Sequence, residues 1–309
     1  MKAKKTGIRT GIVIVSAALI ASMLFITWIL YVKPKMADIM FEPVFINDIK
    51  KIRLVSEMRV NLNASVEAEK IAVLADTDEA SRAYADQALS LSDGVEDARV
   101  KLGILIEAEK MGREVDIFRE FTTCWERFRQ IDQELLPMSV MNTNVKAYEL
   151  SFDSAHKAVS HLEESLNALM NSGIENDKSC KIKALATRAL VAALKIHVLQ
   201  SPHIAESRIE KMDEIETTMQ MQNTLIIASL DALSFLTIPK SKPLLDKANA
   251  AYAEFWRINM EVMALSRQNS NVQSLALSLG QKRNATVQCS DALAALEEAI
   301  QSKVYKATK

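Results

Sequence analysis

Lys282 and Thr286, with Arg283 beside them, fall in a stretch that repeats at heptad spacing: Val272, Leu275, Leu279, Lys282, Thr286, Cys289, Leu293, Leu296 and Ile300. A cation in an otherwise apolar helical seam must snorkel to water, pair with an acid or meet an incoming anion. Two chemistries follow. In one, Lys282, Arg283 and Thr286, together with Arg257, form a pocket for a small anionic ligand such as an amino acid or organic acid. In the other, Lys282 reaches water and fixes the register of a helical bundle.

Other residue types point away from catalysis. The four histidines, His156, His161, His197 and His203, are scattered, and no His-Glu-x-x-His, Gly-rich phosphate loop or Gly-x-Ser-x-Gly occurs. A di-metal bundle needs Glu-x-x-His pairs, which are absent from the sequence, so neither metal nor cofactor is expected and the chain does not read as an enzyme. Cys124, Cys180 and Cys289 match neither a disulfide framework nor a zinc pattern; they are expected as small core residues, one unpaired even if two bond. With a net charge of −1 and no basic cluster interleaved with aromatics, nucleic acid is not an expected partner.

The elements that must position these residues are helices. Only 7 Gly and 6 Pro in 309 residues, with 6% aromatics, indicate an all-α chain. The chain also repeats. Asn142-Thr-Asn144 and the helix after it recur 127 positions later as Asn269-Ser-Asn271. Lys70-Ile-Ala-Val-Leu74 is echoed by Lys195-Ile-His-Val-Leu199, and the turn at Asp76–Asp78 by Ser201–His203. The third-helix seam Cys124, Phe128, Ile131, Leu135, Met138 recurs as Ala251, Phe255, Ile258, Val262, Leu265. The fourth-helix seam of the first copy is Val145, Tyr148, Phe152, Ala155, Val159, Leu162, Leu166, Leu169, an unbroken a/d pattern. Asn142, Asn144, Asn269 and Asn271 suit turns and helix N-caps. Trp125, Tyr252 and Trp256 flank the third-helix seams, as rim packing or as a stacking surface.

Ahead of the repeats, the charge-free run Gly11–Val32 is long enough to cross about 30 Å of hydrocarbon. Trp28 and Tyr31 sit where an interfacial belt belongs, and Lys2, Lys4, Lys5 and Arg9 place residues 1–10 in the cytoplasm. The expected architecture is an N-terminal transmembrane helix at 11–32 followed by two tandem up-down-up-down four-helix bundles, 33–173 and 174–309. The ends of such a bundle share one pole, so the two bundles are expected side by side. No apolar run begins at Tyr305-Lys-Ala-Thr-Lys309, and an uncut C-terminus is expected there.

The anchor Met1–Val32 with Phe121–Pro137, Ser139–Leu169, Ala251–Ala285 and Leu293–Ile300 resembles the four-helix-bundle sensor domain of methyl-accepting chemotaxis receptors. The resemblance covers most of the chain and rests on seams and lengths. It implies a single-pass protein of the bacterial inner membrane with its bulk in the periplasm. The implied task is chemotaxis-type sensing, by binding a small ligand or a partner receptor, or by homo-oligomerising through helices. It also implies that a ligand sits where two bundles meet, so the duplication would be a covalent pseudo-dimer. The sequence lacks the second span and the cytoplasmic coiled coil of a full receptor. The alternative is an envelope scaffold without a small-molecule ligand.

Overall fold

A computed structural model describes residues 20–28, 33–109, 112–172 and 178–307, with side chains placed from residue 46 onward in the first long helix. The described elements are all helical, as the composition requires, and no strand occurs among them. The expected span at 11–32 lies largely outside the described residues. Its described part, residues 20–28, is helical, with Met23, Leu24 and Phe25 exposed. Among the described residues no helix is long and apolar enough to cross a membrane.

Helix α1 is Lys33–Leu74, α2 is Asp78–Glu109, and α3 is Gly112–Met141, with Pro137 inside it. Helix α4 runs through Thr143–Glu149, a π-helical turn at Leu150–Ala155 and then His156–Met170. Next come α5 (Lys178–Ala205), α6 (Ile209–Leu236) and α7 (Lys242–Gln268). Helix α8 repeats the construction of α4: Ser270–Leu277, a π-helical turn at Ser278–Lys282, then Arg283–Ala307.

The chain forms two compact units whose limits differ from a division at residue 173. One comprises residues 1–61, 93–122 and 289–309. Its described core joins Val55 and Met58 of α1, Val95, Leu102 and Ile106 of α2, Phe121 of α3, and Leu293, Leu296 and Ile300 of α8. Buried Lys51 is held there by Glu114 at 2.8 Å and Asp48 at 3.5 Å, and Lys303 also reaches Asp48 at 3.2 Å.

The other unit comprises residues 62–92 and 123–288. Within it, α4 packs with the three helices that follow it. Leu162 and Leu166 share a core with Ala186, Ala189 and Ile196 of α5, Ile226 of α6, and Phe255 and Ile258 of α7. Helix α8 takes the corresponding place beside α1 and α3, where Lys282 meets Asp132. Each repeat thus lends its fourth helix to the other's first three. The cause is local. A single residue separates α3 from α4 and α7 from α8, whereas helices that reverse direction need a linker of about 2–8 residues. One residue can bend a path but cannot turn it back.

Those single residues are Asn142 (φ 49°) and Asn269 (φ 53°), the two positive-φ non-glycine residues among the described ones. Asparagine tolerates this left-handed conformation better than most residues. The helix starts that follow cap each other reciprocally. Thr143 N donates to Ser270 Oγ and Ser270 N to Thr143 Oγ1, both at 3.1 Å. Asn144 N donates to Asn271 Oδ1 at 3.1 Å, and Asn271 N to Asn144 Oδ1 at 3.2 Å. Asn144 Nδ2 reaches Asn269 Oδ1 at 2.8 Å, and Asn271 Nδ2 reaches Asn142 Oδ1 at 2.9 Å. The first amides of each helix, which have no intrahelical acceptor, are satisfied by the other copy.

Replacing Asn142 or Asn269 with Ala removes the bond its side chain accepts from Asn271 or Asn144 and the local amide that makes the left-handed region tolerable to asparagine, for an expected cost of about 1–2 kcal/mol each. Asn142→Gly should cost less than Asn142→Ala. Thermal unfolding followed by circular dichroism checks the order; equal melting temperatures for the two variants would show that φ is not what Asn142 supplies.

Candidate functional site

The π-helical turns change which side chains point inward. A π turn carries one extra residue and so rotates the phase of the helix beyond it. In α4 the inward residues are Asn144, Ala147, Ser151 and Ala155, then Val159 and Leu162. Tyr148 and Phe152, expected on the seam, are instead 55% and 71% exposed and stack on each other at 6.1 Å. In α8 the inward residues are Ser274, Ser278, Lys282, Ala285 and Cys289, while Leu275 and Leu279 face solvent. A polar layer therefore interrupts both fourth helices: it replaces the unbroken apolar seam expected in α4, and in α8 it adds Ser274 and Ser278 to the expected Lys282.

The layer in α8 is charged. Lys282 is 1% exposed, and its ammonium pairs with the buried Asp132 of α3. The same nitrogen lies 3.0 Å from the centroid of the Phe128 ring, a cation–π contact, and 3.4 Å from the Phe128 carbonyl oxygen. Trp125 stacks behind that ring at 4.9 Å. A second acid, Glu69 of α1, is 1% exposed and faces Ser278, Lys282 and Asp132. Its carboxylate is held beside the Ser278 hydroxyl and shares Lys282 with Asp132.

Burial dominates the ionisation of all three groups. It raises the Glu69 carboxyl, against the opposing pull of Ser278 and Lys282, and raises Asp132 against the pull of Lys282. It lowers the Lys282 ammonium from 10.5 to about 8, the two acids working the other way. The cluster holds one cation for two acids: Lys282 pairs with Asp132, and burial favours the protonated form of Glu69.

The layer in α4 is neutral. Ser151 Oγ donates to Gln200 Oε1 at 2.7 Å, and Gln200 Nε2 donates to Asn259 Oδ1 at 2.9 Å. At the 127-residue repeat offset Ser278 corresponds to Ser151, Phe128 to Phe255, Asp132 to Asn259 and Lys282 to Ala155. Where one copy has an acid and a lysine, the other has an amide and an alanine. This concerted difference identifies Lys282 as the counterion of Asp132.

The four residues expected to form an anion pocket are not brought together. Lys282 is buried and already paired. Arg283 is exposed, and the Thr286 hydroxyl donates to the Lys282 carbonyl at 2.9 Å. Arg257 is exposed on α7, held by Glu254 at 2.8 Å and Glu261 at 3.2 Å. Asp132, Glu69 and Phe128 were not singled out from the sequence. Asp132 was accessible through its substitution by Asn259 in the other copy; Glu69 carried no signal beyond an acid between Ala68 and Ala72.

A second polar cluster ties α5, α6 and α7 together. His203 Nδ1 lies 2.8 Å from Ser266 Oγ, and Nε2 lies 2.8 Å from Glu216 Oε1. Arg267, at 2.6 Å, holds the Glu216 carboxyl below the usual range. The Ser266 hydroxyl donates to the His203 carbonyl at 2.9 Å, and both residues are fully buried. The aromatics flanking the third-helix seams pack as bundle residues: Trp125 is buried, the Tyr252 hydroxyl donates to Asn223, and Trp256 lies against the α4–α7 core. Cys124 and Cys289 are buried core residues, as expected, and are disulfide-bonded, which no spacing signalled, while Cys180 is free and exposed. No family model, curated protein or solved structure matches the chain.

The repeat supplies a controlled test of the charged layer. Lys282→Ala leaves two buried acids without their cation and should cost about 3 kcal/mol or more. Adding Asp132→Asn, which recreates the pair found in the other copy, should recover most of that loss. A double variant no more stable than the single one would break the pairing between Lys282 and Asp132.

Glu69 gives a pH signature. Its folded pKa lies above its ordinary 4.5, so its contribution is fully present below that value and is lost as pH rises through the raised one. Lys282 has the opposite sign: its contribution is present above 10.5 and is lost as pH falls through about 8. Glu69→Gln should therefore melt higher than the parent chain at pH 7, with the advantage vanishing near pH 4. Melting curves at the two pH values decide it, and a variant less stable at pH 7 would mean that the ionised carboxylate is needed.

Proposed function

We propose that this chain is a membrane-anchored sensory module acting outside the cytoplasm, in which a helical body receives a small ligand or a partner's helices. The observation that carries the proposal is the repeated polar layer at the two π-helical turns. A bundle that serves only as a spacer gains from an apolar layer there, since replacing buried ion pairs by well-packed apolar residues is often neutral or stabilising. Two polar layers, each placed where a helix is locally unwound, instead suit a body whose packings lie close in free energy, as signal-transmitting helices require.

Other features support the setting. The charge-free run Gly11–Val32 has the length of a membrane anchor, and the disulfide-bonded Cys124 and Cys289 suit an oxidising compartment such as the periplasm. The resemblance to chemotaxis-receptor sensor bundles agrees with both. An anionic ligand, if it binds, does not use Lys282 as its receptor, because Asp132 and Glu69 already surround that ammonium.

Residues 33–309 screened by thermal shift against amino acids and organic acids should show a selective rise in melting temperature for one chemical class. A compound at about 100 times its Kd adds about 2.7 kcal/mol to the native state. A flat response across the panel would favour a scaffold that binds no small molecule.

A further inference from the structure

Helix α5 is unlike the rest of the chain. The protein as a whole balances 38 basic against 39 acidic residues, yet the 28 residues of α5 carry Lys178, Lys181, Lys183, Arg188 and Lys195 and no acid. Its solvent side bears Cys180, Ala184, Thr187, Val191, Leu194 and Val198, spaced 4, 3, 4, 3, 4, the step pattern of a coiled-coil seam. All six are exposed, Val191, Leu194 and Val198 at 44%, 40% and 70%. This seam is separate from the inward face of the same helix, where Ile182, Ala186, Ala189, Ala193 and Ile196 are buried in the bundle core.

Beside the outer seam lies a groove of about 410 Å³ between α5 and α6, lined by Val191, Leu194, Val198 and Leu199 on one side and Thr218 and Gln222 on the other. The α6 wall is uncharged from Thr217 to Leu230, so the field at the groove comes from α5. Lys181, Lys183, Arg188 and Lys195 flank the seam, all exposed, and none forms an ion pair among the described residues.

We infer that this groove docks an amphipathic helix of a partner protein whose apolar stripe is flanked by acidic residues. Charge selects that occupant. Lys181, Arg188 and Lys195 share one flank of the seam, so a second copy docked antiparallel through α5 would set these cations against their own like, and a parallel one would set Lys183 against Arg188, which is how coiled coils exclude a wrong partner. A bilayer surface would meet the same cations, but a concave groove with a neutral second wall fits a cylinder better than a plane. The inference concerns a surface on the outside of the bundle and stands whether or not the chain senses a small molecule.

The test uses the full chain in neutral-lipid nanodiscs and two fluorescent three-heptad peptides. Both carry Leu at the seam positions; one has Glu at the flanking positions and the other Lys. The Glu peptide should bind saturably, more weakly at high salt, while the Lys peptide should not. Lys181→Glu, Arg188→Glu and Lys195→Glu together should weaken the Glu peptide by about tenfold or more and admit the Lys peptide, as loss of several exposed ion pairs requires. Val198→Asp should weaken both pairings. Every substituted position is exposed, and an unchanged circular dichroism melt confirms the fold. The inference is overturned by failure of the Glu peptide to bind or by equal binding of the two peptides. It is equally overturned by a dimer that Val198→Asp disperses, or by an environment-sensitive dye on Cys180 that responds to anionic-lipid nanodiscs while the Glu peptide does not bind.

Discussion

The arrangement of this chain depends on two asparagines in a left-handed backbone conformation. Asn142 and Asn269 each join two helices by a single residue, so the path bends and continues instead of reversing. From that constraint follows the exchange of fourth helices between repeats. The exchange brings the two helix starts together, and Thr143, Asn144, Ser270 and Asn271 satisfy each other's terminal amides. The pattern has the self-complementarity of a two-fold interface, residue i meeting j as j meets i, but within one chain. Each helix start borrows its cap from the other, so neither bend is satisfied without its counterpart.

The π-helical turns add a second constraint. By rotating the helix phase they withdraw Tyr148, Phe152, Leu275 and Leu279 from the core and insert Ser151, Ser278 and Lys282. Burying these groups is unfavourable unless partners are supplied, and the two copies supply them differently. One uses amide and hydroxyl hydrogen bonds through Gln200 and Asn259. The other uses an ion pair with Asp132, backed by the face of Phe128, and leaves Glu69 as a second acid sharing the one cation. Charge thus entered this layer as a balanced pair together with one unbalanced proton-binding group.

Much of this was visible in the sequence, and what was not has identifiable causes. Helix limits and turns were legible where the apolar period and the short polar breaks agree, as at Asp76–Asp78 and Asn142–Asn144. The break expected at Ser201–His203 instead lies inside α5, which carries Pro202 in its last turn and ends at Ala205. The exchange of fourth helices was not, because two copies of one sequence satisfy either pairing equally well; the clue was the one-residue linker. The interruption of the α4 seam was also hidden. Tyr148 and Phe152 obey a 3–4 spacing as well as Ala147 and Ser151 do, and a single extra residue in a turn changes phase without changing composition. Lys282 stood out as a cation in a seam, but its meaning lay in a residue on another helix. Comparing Asp132 with Asn259 and Lys282 with Ala155 resolves it, since only a paired change leaves both cores neutral.

That comparison also bears on where recognition takes place. A buried lysine invites the idea of an anion receptor, but its charge is already met at Asp132 and its ring face at Phe128, so an incoming carboxylate would have to displace an acid held by the fold. Unmet charge instead collects on the outside, along α5, where Lys181, Lys183, Arg188 and Lys195 border an apolar seam with no acid on the same helix. Recognition draws on free energy that folding has left unused. In the charged layer folding has used the cation and left a carboxyl to take a proton; along α5 it has left both the apolar area and the charge. The interior of this bundle is therefore suited to setting the balance between packings, and its α5–α6 face to meeting another molecule.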